Sequence, residues 1–127
     1  MKDDAQPTIF IIDWEMCQLN IRPLDLGQMI AELYELYLFK DIHAGRWLVE
    51  GFAVGYGIPN DDFAFRTAIH VGTHLVCWGS SVPGWGTEEQ ILEVVTKGRD
   101  LIVHAWQKDK AWFMDSDLAC LFPATES

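Results

Sequence analysis

The stretch Thr8-Ile9-Phe10-Ile11-Ile12-Asp13-Trp14-Glu15, followed by Pro23-Leu24-Asp25-Leu26, is the part of this 127-residue chain that decides its reading. Ile9–Ile12 is a short, β-branched and continuously apolar run, bounded by Pro7 and Asp13. Such a run is too brief for a helix, and its unbroken apolarity fits a strand buried on both faces. A lone strand cannot satisfy its own backbone groups, so Ile9–Ile12 is expected to pair with something outside this chain. Asp13 would close that strand, with its carboxylate at the C-terminal end. A hard cation such as Mg²⁺ takes one or two carboxylates there, together with phosphate oxygens and water. Strand-end aspartates also cap turns, and position alone favours that plainer role.

Downstream of this stretch the pattern is helical. Leu26, Met29, Ile30, Leu33, Leu36 and Tyr37 recur at helical spacing between Asp25 and about Lys40, with Pro23 just ahead. A second helix is expected over roughly Ile42 to Tyr56, weakened by Gly45, Gly51 and Gly55. Asn60 is a good N-cap for a third, which carries Asp61 and Asp62 in its first turn and stops at Gly79. Thr87 and Gln90 form a capping box for a fourth, expected to break or bend near Gly98 and to end at about Lys108. The Ser80–Gly86 segment around Trp85 reads as a loop, and Leu118, Leu121 and Phe122 as a last apolar element folding back. The expected fold class is mainly α with one short N-terminal strand: residues 1–7 a disordered leader, residues 8–127 a single helical domain.

Composition narrows the function classes. Half of the residues are apolar and 13% aromatic, enough for a folded core. The chain carries 9 basic and 19 acidic residues, a formal net charge of −10. This sign disfavours nucleic acid and anionic membrane surfaces as partners. No run approaches the ~18 apolar residues of a membrane span. Cys17, Cys77 and Cys120 are odd in number and lack a C-x-x-C pair, which reads as reduced thiols in a cytoplasmic protein. Cys77 and Cys120 are expected in the core.

Ile11-Ile12-Asp13-Trp14-Glu15 with Pro23-Leu24-Asp25-Leu26 resembles the aminoglycoside phosphotransferases and their choline-kinase-like relatives, of the protein-kinase-like fold. In that family an apolar strand ends in Ile-Asp-Trp-Glu or Ile-Asp-Phe-Glu, and a loop leads to Pro-x-x-Asp-Leu opening a helix. The later helical segments, with the Trp-rich Leu101–Trp112, look similar to the C-terminal helical subdomain of fungal members. The resemblance implies that Asp13 holds Mg²⁺ against ATP phosphates and that Asp25 braces the catalytic loop. Asp25 would equally serve as the N-cap of its helix. Full-length relatives phosphorylate hydroxyls on small molecules, so Mg²⁺ and ATP are implied for them.

The chain departs from that pattern in what should surround Asp13. A phosphotransferase of this type positions the attacking hydroxyl with a His-Gly-Asp-x-x-x-x-Asn loop before the metal strand. No such loop, and no Gly-rich nucleotide loop, occurs in these 127 residues. The expectation is therefore a C-terminal fragment or truncated member, inactive alone and needing no cofactor in isolation. The alternative is a non-catalytic module, homo-oligomeric through Ile9–Ile12 and an apolar surface. Other candidates are weaker. His70 and His74 would share a helix face as zinc ligands can, but lack an obvious third ligand. Glu32, Glu35 and Glu50 could line a pocket for a cationic substrate, although a solvated helix face is the plainer reading.

Overall fold

The computed structural model describes residues 6–12 and 17–123. Five α-helices follow one another: α1 (Arg22–Lys40), α2 (Ala44–Tyr56), α3 (Asp61–Gly79), α4 (Glu88–Trp106) and the short α5 (Lys110–Met114). A 3₁₀ turn over Ala119–Leu121 follows. No strand occurs among the described residues. Ile9–Ile12, expected as a strand, lie in no regular element, and their side chains are exposed. A strand exists only as part of a ladder, and none of the described elements offers one.

Local chemistry sets most of the helix ends. Pro23 sits in the first turn of α1, where a missing N–H costs nothing, and Asp25 lies in the same turn. The N-cap is Ile21, without a side-chain cap, so α1 starts three residues earlier than expected and Asp25 is not its cap. At the other end Asp41 adopts a left-handed conformation (φ 53°). The amides of Asp41 and Ile42 then close on the carbonyls of Tyr37 and Leu36. Asn60 accepts the Phe63 amide at 2.9 Å to start α3. Thr87 and Gln90 form the reciprocal capping box of α4, at 3.2 and 2.9 Å.

α3 is the central helix, packed against α1 on one side and α4 on the other, while α2 covers the far side of α1. Gly98 does not break α4, contrary to the sequence expectation. It meets Gly72 of α3: a Cβ on either residue would come within 2.7 Å of the other's carbonyl oxygen. The absent side chains let two backbones approach closely, which a helix interior tolerates when packing repays the propensity cost.

The core runs from Leu26, Ile30 and Tyr34 of α1 through Val71 and Leu75 of α3 to Val94 and Leu101 of α4. Phe65, Phe113 and Phe122 form an aromatic cluster with ring centroids 4.9–6.0 Å apart. Leu118, Leu121 and Phe122 are buried, so the C-terminal element folds back as its pattern predicts. Trp85 packs edge-on against Phe39 with the Lys40 ammonium over its ring, a packed turn. Cys77 is exposed, not a core thiol, and Cys120 is only partly covered. Burial pushes the Cys120 thiol up to about 11, so it is a poor nucleophile.

Candidate functional site

Two polar centres sit on this framework, and they differ in how well they are satisfied. One is the groove where α1 crosses α3. Gly27 allows the crossing, since a Cβ there would lie 2.6 Å from the His70 Cβ. From this crossing, Asp25, Gln28, Met29 and Glu32 of α1 and His74 and Trp78 of α3 line an open groove of about 420 Å³. The spacings of four on α3 and of three to four along α1 place each set on one helix face.

Glu35, 4% exposed, lies buried on α1 one turn beyond Glu32. His74 is 9% exposed, and its Nε2 lies 2.9 Å from Glu32 Oε1 and 4.0 Å from Glu35 Oε1. The latter is beyond hydrogen-bonding distance, and Glu35 Oε1 has no hydrogen-bond partner among the described residues. Burial, reinforced by the neighbouring Glu32 carboxylate, raises the Glu35 carboxyl to about 7. A buried carboxyl that titrates near neutral pH beside a groove is a functional-site signature when geometry supports it.

The other centre is Asp117. Tyr34 donates its hydroxyl to Asp117, Arg46 pairs with it at 2.9 Å, and Lys97 lies at 3.7 Å. Three helices are thereby tied to the C-terminal segment. Burial and the Asp117 carboxylate push the Tyr34 hydroxyl well above its ordinary range, so it stays a donor. A wider cleft of about 820 Å³ opens beside this centre, with Glu93, Lys97, Asp100 and Trp112 on its walls.

Several candidates from the sequence find their places here. Asp13 lies outside the described residues. Asp25 is exposed at the mouth of the groove. His70 and His74 do not act as a pair: His74 turns to Glu32, while partial burial lowers the pKa of His70. Of the three glutamates, Glu50 is a solvated residue, Glu32 sits at the groove surface and Glu35 is buried beneath it. Asp61 and Asp62 serve helix-start chemistry, with ion pairs to Lys110 and Arg66. Asp117, Arg46 and Tyr34 carried no local signal. His104 was also missed: it stacks on Trp112 at 4.1 Å and shares Asp109 with the start of α5. The Trp112 amide and then His104 hold the Asp109 carboxyl below its usual range.

The chain is similar to phosphotransferase FrzJ of a Cladobotryum species, 35% identical over 107 residues. The match covers 84% of this chain and 28% of FrzJ. It is also similar to the 4-hydroxytryptamine kinases of Psilocybe cubensis and Psilocybe cyanescens, at 30% and 29% identity over 93 residues. These matches cover 71% of this chain and 25% of each kinase. The chain thus spans about a quarter of the length of the curated relatives it matches. No family model matches, and no solved structure matches. No helix among the described residues is long and apolar enough to cross a membrane. The named relatives support a kinase-like phosphotransferase family for this mainly helical chain.

Proposed function

We propose that this chain is the C-terminal helical part of an ATP-dependent kinase of the aminoglycoside phosphotransferase type, acting on a small-molecule hydroxyl. The observation that carries this reading is the match of 84% of the chain to a phosphotransferase, together with the Asp13 and Asp25 motifs. In this reading Asp13 is the Mg²⁺ ligand against the nucleotide phosphates, and Asp25, exposed at the start of α1, braces the catalytic loop. The kinases of known substrate among the relatives act on a hydroxylated amine, and the acidic charge of this chain suits a substrate of that class. Alone, the 127 residues turn over no ATP, because phosphoryl transfer needs groups on the phosphates and a residue orienting the hydroxyl.

The test is a chimera in which this chain replaces the matching segment of phosphotransferase FrzJ. The expected result is retained Mg-ATP-dependent phosphorylation of the substrate of FrzJ, lost on Asp13→Ala. A folded, inactive chimera, or one indifferent to Asp13→Ala, overturns the assignment.

A second reading is favoured by one feature: α2 presents exposed Trp47, Leu48 and Val54, and Ile9, Phe10 and Ile12 are exposed as well. Apolar surface of this kind marks an interface. As the alternative we propose that the chain is a non-catalytic homo-oligomeric module derived from that fold, joined through Ile9–Ile12 and this apolar face. Sedimentation at high concentration should then show a dimer or larger species, and a clean monomer would remove this reading.

A further inference from the structure

The α1–α3 groove has a feature that the phosphotransferase reading does not use. Glu35 is nine-tenths buried and more, yet one of its carboxylate oxygens lacks a hydrogen-bond partner among the described residues. Buried polar groups are nearly always paired, and an orphan calls for an explanation. The orphan oxygen does not face a greasy wall. One oxygen from each of Glu32 and Glu35 and a ring nitrogen of His74 lie within 4.8 Å of one another.

We propose that Glu32, Glu35 and His74 bind a divalent transition-metal ion, with Zn²⁺ the best fit, at the α1–α3 interface. Two carboxylate oxygens and one imidazole nitrogen make three protein ligands, and the groove leaves a further position open to water or a small ligand. That is the coordination plan of open zinc sites. Mg²⁺ and Ca²⁺ fit less well, because both prefer oxygen ligands alone. Metal–ligand bonds of ~2.0–2.2 Å place the donors of one ion roughly 3–4 Å apart. The Nε2 distances of 2.9 and 4.0 Å fall at the two ends of that span. Closing the loosest pair needs less than about an ångström of side-chain movement, easy for Glu32 at the surface. When the ion enters, the ring proton of His74 is carried on Nδ1, the Nε2 lone pair turns to the metal, and the carboxyl proton held by Glu35 is released to solvent. The ion would cross-link α1 to α3 and neutralise the two carboxylates. It is a site separate in its residues from the Mg²⁺ role assigned to Asp13, and its test does not depend on kinase activity.

The experiment is a calorimetric titration of the chelator-treated full chain with ZnCl₂. Exposed Cys17 and Cys77 compete for zinc, so both are replaced by Ser in every variant. The expected result is one equivalent bound, accompanied by proton release and a rise in Tm. Glu35→Gln and His74→Ala should each weaken binding at least ~10-fold, the scale seen when a metal site loses a supporting group. Glu32→Gln, a change on an exposed side chain, should weaken it too and keeps the test decisive if His74→Ala fails to fold. CoCl₂ should give visible d–d absorption that the same variants lose. Absence of saturable ZnCl₂ binding overturns the proposal, as does affinity unchanged in Glu32→Gln and Glu35→Gln. Equal stabilisation by methylammonium chloride also overturns it, because the groove would then be an ammonium pocket and not a metal site.

Discussion

Asp117 and Glu35 are both acidic groups drawn into the protein, and their surroundings are opposites. Asp117 keeps 24% of its side chain exposed, yet it holds a tyrosine hydroxyl, an arginine and a lysine. Glu35, with 5% of its side chain exposed, has a single histidine nitrogen at 4.0 Å and a second carboxylate close by. The less buried acid is the better satisfied one. Charge that serves the fold is paired, because an unpaired buried charge costs several kcal/mol and must neutralise or find a counter-ion. Asp117 reads as architecture, and Glu35 as a place kept for something to bind.

Removing the satisfied partner should cost most. Asp117→Ala leaves the Tyr34 hydroxyl buried without an acceptor and frees two cations from their tether. We expect a loss of about 2–3 kcal/mol in urea unfolding, the penalty for orphaning buried hydrogen-bonding groups. A neutral result would mean that the Asp117 network is ornamental, and the contrast with Glu35 would collapse.

Glu35 should answer in the opposite direction, and with a pH dependence. Its folded carboxyl sits at about 7, above the ordinary 4.5, so the folded state holds this proton more tightly than the unfolded chain. The stabilisation from neutral Glu35 is therefore full below about pH 4.5 and is lost as pH rises through about 7. Glu35→Gln removes that loss. In metal-free buffer it should match the wild type near pH 4.5 and exceed it at pH 8 by up to about 3 kcal/mol, measured by chemical denaturation. Destabilisation at pH 8 would show that the carboxylate has a partner after all.

The smallest effect belongs to the surface. Asp62 and Arg66 pair at 3.0 Å on an exposed face of α3, each side chain more than half exposed. Asp62→Asn should change thermal stability by no more than ~0.5 kcal/mol, and less still in high salt. A larger change would show that surface pairs rival the buried centres, and burial would no longer sort the two classes.

Features written in neighbouring residues were legible from sequence. The Asn60 cap, the Thr87–Gln90 capping box and the apolar set Leu118, Leu121 and Phe122 are local patterns, and each formed where the pattern put it. Asp25 was legible as a helix-start residue but not in its exact place, because α1 starts at Arg22, three residues before Asp25. Features that need a distant partner were not legible. Gly98 looked like a break because its reason, Gly72, lies 26 positions earlier on another helix. Cys77 looked like core because its neighbours are apolar, but it falls on the exposed side of α3. Glu35 looked like a solvated glutamate, since nothing local says that α3 will cover it. One of the three residues of the candidate site, His74, was in view as a possible metal ligand. The other two, Glu32 and Glu35, lie on another helix and come near His74 only through the α1–α3 crossing.

The Gly72–Gly98 contact also sets an order of events. Where backbones touch, water has no room to enter until the helices separate, so amides around this crossing should be the last to exchange with solvent. α2, in contrast, has much of its outer face in water and touches little beyond α1 and the C-terminal turn. The molecule then loosens from its flank inward, and the α3–α4 pair behaves as the foldon whose opening is global unfolding.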